Sequence, residues 1–568
     1  MNSNGHHFGW ETWHRFKRSI GAYLSSRDGR KSVGMLVLLV AFLVVINGLN
    51  VVNSYVGRDF ISAIENRDRS QFISQAWLYV GVFVLSTVTT VIYRYLEERL
   101  GLLWRTWQTR QILDRYLAQQ AYYRIEDGGQ LENPDQRIAE DVRSFTATTL
   151  SFVLMMLNAS FTVVAFSGVL WSISPRLFVV AVVYALIGSM LTVLLGRRLI
   201  GLNNQQLDKE ANFRSDLMKV RANAGSVALL HREGHVHHRL MQRFDEIVGN
   251  TRRMISVNRN LGYFTNGYNY LMQIIPALIV APLFMQGDVP FGVVTQSAMA
   301  FSALMGAFSL AITQFQQISS YAAVIGRLGR LVDAMDHACA ATESPIEVRE
   351  QNGSLVYERL TLRNADGQVS VRELSLTIKR GQRVLITGAR GAAKLGLFKA
   401  TAGLQCQGEG RITRPDPSAI LFVPELPYLP HGSLRDLLLR FDTGDGSRDG
   451  EMLRVLQRLH LDSIVDQTGG LGIERDWSNS LGISEQAGLV VARVLLAKPQ
   501  FVFFDRMNVA MDHTRIERVL RQLIADDITY IVIGKPADAS DYFDAALHIE
   551  ADGSWTWRSL TKMQTAPA

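Results

Sequence analysis

Val384-Leu385-Ile386-Thr387-Gly388-Ala389-Arg390-Gly391-Ala392-Ala393-Lys394-Leu395 decides how this chain is read. An apolar run opens the stretch. A helix with apolar periodicity, through Leu397, Phe398, Ala400, Thr401 and Leu404, is expected to follow. Strand, glycine loop, lysine and helix in that order are the layout of a phosphate-binding P-loop. Its backbone N–H groups cradle phosphate and its lysine neutralises it. The pattern G-x-x-x-x-G-K-[ST] is altered at two places. Ala393 stands for glycine, so a Cβ is expected where the backbone should press on phosphate. Leu395 stands for Ser or Thr and has no hydroxyl for Mg²⁺.

Around this loop, from about residue 353 to 560, strands alternate with helices. Val384–Ile386, Ala419–Val423, Phe501–Phe504 and Tyr530–Ile533 are short apolar runs suited to buried strands. The expectation is an α/β domain of P-loop ATPase type over 353–568, joined by a linker at 338–352.

Toward the N-terminus the composition changes. Six apolar stretches lie near 33–52, 76–96, 147–173, 177–195, 270–285 and 291–312. The first four reach the roughly 20 residues that span a bilayer. The fifth is interrupted by Pro276 and Pro282, so a re-entrant or kinked element stands beside the spanning reading. The first run begins near Val33 without a small-residue cleavage site, which reads as a membrane helix rather than a removed signal peptide. The links 53–75, 174–176 and 286–290 are short. The intervals 97–146 and 196–269 are long, helical and rich in arginine. The positive-inside rule therefore places them, both termini and the C-terminal domain in the cytoplasm. This also accounts for the net charge of +7 without a nucleic-acid partner. Helices 2 to 5 are expected to leave the membrane as stalks, within a transmembrane domain over 33–337.

Residues 1–32 are polar and basic, with Trp10, Trp13 and Phe16 at helical spacing. They read as an amphipathic segment on the membrane surface or as a partly ordered tail. Two cysteines, Cys339 and Cys406, fit no metal spacing and no disulfide framework. His231, His235, His237 and His238 cluster locally, and the spacing of the first two allows a two-imidazole metal site. With no supporting carboxylate or cysteine, the solvated face of a stalk helix is the preferred reading.

Leu103-Trp104-Arg105-Thr106-Trp107-Gln108-Thr109, Tyr122-Tyr123-Arg124 and Asn133-Pro134-Asp135-Gln136-Arg137-Ile138-Ala139-Glu140-Asp141 resemble the SbmA/BacA-like transporters. They also resemble the relatives of those proteins that carry an ATPase domain, the YddA-like bacterial half-transporters and the peroxisomal fatty-acyl half-transporters. A second motif of that group, roughly R-E-N-A-E-x-I-A, is recognisable in Arg221-Ala222-Asn223-Ala224-Gly225-Ser226-Val227-Ala228, with both glutamates replaced. The resemblance implies that this stretch contacts the ATPase domain.

The C-terminal domain resembles an ABC-transporter nucleotide-binding domain in the order of its motifs. The P-loop residues Gly388, Ala389, Arg390, Gly391, Ala392, Ala393, Lys394 and Leu395 come first. Glu425, in Val423-Pro424-Glu425-Leu426-Pro427-Tyr428, stands for the glutamine that helps hold Mg²⁺ and water. Leu481-Gly482-Ile483-Ser484-Glu485-Gln486 is the signature with its serine and glycine exchanged. Phe501-Val502-Phe503-Phe504-Asp505-Arg506 is Walker B, with Arg506 where the resemblance implies the carboxylate that polarises water. Val509-Ala510-Met511-Asp512 is the D-loop, and Lys535 takes the usual histidine position. Arginine cannot accept a proton, and lysine cannot relay one as imidazole does.

The resemblance implies a dimer, homo- or heterodimeric, with each nucleotide held between one P-loop and the partner's signature. The expected architecture is an all-α six-helix transmembrane domain of exporter-type ABC fold followed by the α/β domain, in a bacterial inner membrane. The preferred reading is a transporter for peptides or a bulky cofactor-like solute that has lost ATP hydrolysis and holds ATP weakly or not at all. Beside it stand a conventional ATP-driven transporter with an atypical site and a non-transporting scaffold or sensor.

Overall fold

The computed structural model describes residues 21, 27–127, 131, 133–340, 346–364, 366–404, 407–425, 428–439, 448–507, 511–535 and 542–560. The chain divides after Asp336 into two compact units. The amphipathic reading of residues 1–32 falls largely outside the described residues, as do Cys406 and the D-loop positions Val509 and Ala510.

Among its described residues the first unit is built of helices joined by short turns. Its long helices are α1 (Arg27–Glu65), α2 (Arg69–Leu117), α3 (Val142–Ile173), α4 (Pro175–Ala222), α5 (Glu233–Met285), α6 (Gly292–Thr313) and α7 (Phe315–Ala340). Five of them (α1, α2, α3, α5 and α6) contain a segment long and apolar enough to cross a membrane, and α4 begins with the apolar stretch Pro175–Leu191. Their apolar side chains do not all turn inward. Trp77, Phe83, Val164, Leu186 and Leu278 are exposed. In water that much uncovered apolar surface would be unfavourable, whereas in hydrocarbon it is neutral.

Between the helices the core is made by Phe166, Leu170, Leu177, Ala181, Phe301 and Leu304 of α3, α4 and α6, among others. A polar junction lies among the same helices. Asn47 of α1 donates from Nδ2 to Asn158 Oδ1 of α3 at 2.9 Å and accepts from Thr162 Oγ1 at 2.8 Å. Side-chain bonds of this kind fix the register of packed membrane helices.

At 53 residues, α5 is roughly 80 Å long at about 1.5 Å per residue. That greatly exceeds a hydrocarbon core of about 30 Å, so α5 continues as a stalk. Pro276 and Pro282 do not interrupt it. The fifth apolar stretch is therefore one continuous helix, because proline removes a single backbone donor and neighbouring helices support the rest. The link between α1 and α2 is also shorter than 53–75. It is residues 66–68, where Asp68 caps α2 by accepting from Ser70 N at 2.9 Å and Gln71 N at 3.1 Å.

The second unit is α/β. A six-stranded sheet has the order β12-β11-β4-β10-β9-β6 and a four-stranded sheet the order β1-β5-β2-β3. The strands are β1 (Ile346–Glu350), β2 (Ser354–Arg363), β3 (Val369–Lys379), β4 (Val384–Gly388), β5 (Gly408–Arg414), β6 (Ile420–Val423), β7 (Gly432–Ser433), β8 (Glu474–Arg475), β9 (Phe501–Asp505), β10 (Thr529–Ile533), β11 (Ala545–Ile549) and β12 (Trp555–Ser559). In the larger sheet all pairings are parallel except β11 with β12. Strand β9 is buried along its whole length, as a central parallel strand must be. Helix α8 (Gly391–Ala402) packs Leu397, Phe398, Ala400 and Thr401 inward. Leu404 lies beyond it, because Gly403 at φ 80° ends the helix with its N–H bonded to Ala400 O. The stretch 338–352, read as linker, contains the end of α7 and all of β1. Strand β1 pairs in parallel with β5 from Ile346 to Glu350.

Candidate functional site

The site is built at the ends of three neighbouring strands. In parallel sheets the loops that leave the C-terminal strand ends converge there, which is where α/β domains place ligands. Strand β4 ends in Gly388, β9 ends in Asp505, and β10 leads into Gly534 and Lys535.

The two P-loop glycines stand there for different reasons. A Cβ on Gly388 would meet the backbone oxygen of Ile549 on β11 at 2.5 Å, so the sheet itself requires glycine. A Cβ on Gly391 would meet nothing within 4 Å, and this glycine opens α8 with a clear approach to its N–H groups. Arg390 is the N-cap residue and makes no side-chain cap bond. Ala389 and Ala392 are exposed beside it. A phosphate fits here: open space, the positive end of a helix, and Lys394 one turn in.

Ala393 does not obstruct the loop. It is 1% exposed and belongs to the core that includes Ile386, Leu397 and Phe398. The expected Cβ in the phosphate cradle is therefore corrected: the helix turns this methyl inward. Leu395 is half-buried against the same core and offers no oxygen.

The structure brings Lys394, Glu425, Asp505 and Arg506 together. Lys394 Nζ donates to Gly534 O at 3.4 Å. Arg506 has φ 45°, a left-handed backbone that is uncommon for a side chain of this size. Its Nη2 is ion-paired with Glu425 Oε2, and its Nε lies 3.4 Å from Asp505 Oδ1. Burial pushes the Asp505 carboxyl above its ordinary range, against the pull of Arg506 and Lys394. Lys535 is exposed just after Gly534.

The sequence pattern reads Glu425 and Arg506 as two separate losses. In the structure they are partners. The available signal was that the two changes introduce opposite charges at positions that serve one site.

A divalent cation does not fit this arrangement. The hydroxyl that would face it is replaced by Leu395, and the two carboxylates that remain are held by a guanidinium. Among the described residues no group of three or more His, Cys, Asp and Glu is placed to hold a metal ion. His231 lies outside the stalk helix, in a turn at φ 47°, while His235, His237 and His238 are exposed on α5.

The signature residues are held by local bonds at the start of α9 (Ile483–Ala497). Glu485 Oε2 accepts from Gly482 N at 2.9 Å, and Gln486 Nε2 donates to Leu481 O at 2.9 Å. The displaced Ser484 receives Arg515, a residue that the motif pattern did not single out. Arg515 lies in α10 (His513–Ala525), whose N-cap Asp512 accepts from Arg515 N at 2.8 Å.

In the helical unit, Asn223 ends α4, and the short helix Ala224–Leu229 follows. The second motif, Arg221–Ala228, spans that break and is exposed at almost every position, with Leu229 and Leu230 exposed beyond it.

Comparison with known proteins places both units in one context. The family described as ABC transporter transmembrane region 2 matches residues 20–285. ABC transporter D family member 2, chloroplastic, of Arabidopsis thaliana is 34% identical, over 94% of this chain and 86% of its own length. An ABC transporter ATP-binding protein of Synechocystis is 33% identical, over 92% and 81%. The lysosomal cobalamin transporter ABCD4 of Homo sapiens is 25% identical, over 92% and 91%.

Proposed function

The chain belongs to the ABC half-transporters of the D type, and from that premise we propose that it is a dimeric membrane transporter whose nucleotide domain does not hydrolyse ATP. The observation that carries this reading is Arg506. The residue after the Walker B aspartate must accept a proton from the attacking water, and a guanidinium ion-paired with Glu425 cannot. Loss of a positioned general base alone costs about 10²–10⁴ in rate. Loss of the metal oxygen ligand at Leu395 adds to it, since the metal neutralises much of the charge in phosphoryl transfer.

Transport in this reading runs by ion coupling or by facilitation through the helical unit, in the manner of the SbmA/BacA-like proteins. The solute is bulky: a peptide, or a cofactor of the size that the lysosomal relative is named for. The membrane is a bacterial cytoplasmic membrane with both termini inside, and the partner is a second copy or a related half-transporter. Asp59 and Glu65 are the acids that follow the first span within α1. Asp59 is paired with Arg58 at 2.8 Å, which supports a structural role for it.

A conventional ATP-driven transporter is the second reading. It is favoured by the open approach at Gly391 and by retention of Lys394. The two separate in one assay. Full-length protein in lipid nanodiscs, supplied with Mg²⁺–ATP, should release phosphate no faster than its Lys394→Ala variant. Release well above that blank would establish the second reading. Solute uptake by cells that lack the transporter, with and without a proton gradient, then separates transport from a scaffold role.

A further inference from the structure

Arg506 does more than remove a base. Its guanidinium bridges Glu425 and Asp505, one from the loop after β6 and one from the end of β9. These are the positions from which a nucleotide domain of this family faces its Mg²⁺. We infer that Arg506 is a resident cation in the metal's place, and that the P-loop is a metal-independent site for nucleoside di- and triphosphates. The inference rests on the reading above and deepens it, by naming what the non-hydrolysing site accepts.

Four observations converge. The anion side of the site is intact: Gly391 leaves the start of α8 open, and Lys394 stands one turn in. The metal side is not, because Leu395 turns against the core. Glu425 and Asp505 have only single negative charges to offer, and Arg506 already answers both. Finally, from a left-handed backbone that several other residues of the chain share, the Arg506 guanidinium meets both carboxylates at once.

Charge bookkeeping states the consequence. Glu425, Asp505, Lys394 and a divalent cation would sum to +1. With Arg506 in its place the same set sums to zero. The ligand is therefore held more weakly than in a metal-dependent site, by hydrogen bonds and Lys394 rather than by a bridging ion. Since no ion ties the β- to the γ-phosphate, ATP and ADP are discriminated little. Arginine suits this role because its charge persists at any physiological pH and its fork can face carboxylate on one side and phosphate on the other.

The test uses full-length protein in nanodiscs and trinitrophenyl-ATP as the fluorescent probe. Wild type should bind the probe equally well in EDTA and in millimolar Mg²⁺. Arg506→Ala should weaken binding in EDTA by about tenfold or more, the value of a lost charge-assisted contact, and Mg²⁺ should restore it, because Glu425 and Asp505 are then released to a metal. Arg506→Lys keeps the cation and should stay insensitive to EDTA, which shows that the Arg506→Ala effect is not misfolding. As a readout apart from the nucleotide, Mn²⁺ paramagnetic resonance without ATP should show the ion free beside wild type and bound beside Arg506→Ala. Wild-type binding that requires Mg²⁺, no wild-type binding in EDTA, or an Arg506→Ala variant with wild-type behaviour would each overturn the inference. Phosphate release by wild type would instead refute the non-hydrolysing reading beneath it, so the two failures are distinct.

Discussion

Arg327 holds Asp141 with two arms of its guanidinium, Nε to Oδ2 at 2.7 Å and Nη2 to Oδ1 at 2.6 Å. Asp141 closes the run Asn133–Asp141 on which the family resemblance rests, and Arg327 lies on α7. A third bond completes the junction: Arg137 Nη1 donates to the backbone oxygen of Arg327 at 3.1 Å. Arg137 and Asp141 are the first and last residues of a single π-turn, wider than an α-turn, that leads into α3. Both are buried, so these two of the motif's four charged residues turn toward α7, while Asp135 and Glu140 are exposed.

The first prediction follows from that asymmetry. Asp141 is almost wholly buried while Arg327 is part-exposed. Arg327→Ala leaves a buried carboxylate unpaired and should cost about 1.5–3 kcal/mol, the range for hydrogen bonds to charged groups. Arg327→Lys should recover little, since an ammonium cannot reproduce the two-armed geometry. Thermal unfolding in nanodiscs, with a double-mutant cycle through Asp141→Asn, measures the coupling. Additive single effects would show that the pair is decorative.

The second prediction concerns Lys394. If the site does not hydrolyse ATP, Lys394→Ala should leave solute transport unchanged at equal expression. In an ATP-driven transporter the same change removes the charge that holds the β- and γ-phosphates and should abolish transport. Transport rates in a deletion strain carrying each form decide it.

The third prediction is about acid. The two-armed bond from Arg435 holds the Asp449 carboxyl below its ordinary 3.8, and bonds from Arg411 and Arg349 hold Glu347 below 4.5. A carboxylate lowered in the folded state contributes stability that is complete above its unfolded value. The contribution is lost as pH falls through the folded one. The acid limb should therefore lie below pH 4.5 for Glu347 and below 3.8 for Asp449. Asp449→Asn and Glu347→Gln should each flatten that limb and change little at neutral pH beyond a small, salt-sensitive loss. Unfolding temperature against pH checks this, and an unchanged acid limb would contradict it.

Much of this protein was legible in its residues, for a physical reason. Hydrophobic stretches long enough to span a bilayer are scarcely ambiguous, and the parallel strands β4, β6, β9 and β10 announce themselves as short apolar runs, although β6, at the sheet edge, is only partly buried. The smaller sheet was not singled out. Strand β2, for example, mixes Glu358 and Arg359 with Leu360 and Leu362, because it pairs antiparallel with both neighbours and keeps part of its surface wet. At the site, residue identities were legible and their relations were not. Leu395 and Arg506 stand out against the pattern. No one-dimensional spacing says that Arg506 reaches Glu425 across strands, or that Ala393 turns its methyl into the core and leaves the loop clear.

The last prediction concerns repair. Restoring Leu395→Ser, Arg506→Glu and Lys535→His, with Gly482→Ser and Ser484→Gly in the signature, should return Mg²⁺–ATP binding more readily than hydrolysis. Binding needs the loop, the lysine and a metal. Hydrolysis also needs a water held in line by a base. The structure adds two conditions. Arg506→Glu alone would set a third carboxylate beside Glu425 and Asp505 with Lys394 as the one cation left in the cluster, so it should destabilise the domain until Glu425→Gln accompanies it. Ala393→Gly belongs to the pattern but not to the need. The methyl is in the core of a helix, and removing it should cost about 1 kcal/mol in helix propensity for no gain in the cradle. The repaired chain without Ala393→Gly should therefore bind as tightly as the chain with it and melt at a higher temperature. Isothermal titration with ATP, in Mg²⁺ and in EDTA, reads both points on wild type and each repaired form. Wild type binding Mg²⁺–ATP as tightly as the repaired protein would mean that Arg506 never displaced the metal. A gain in affinity from Ala393→Gly would mean that its methyl does reach the phosphate.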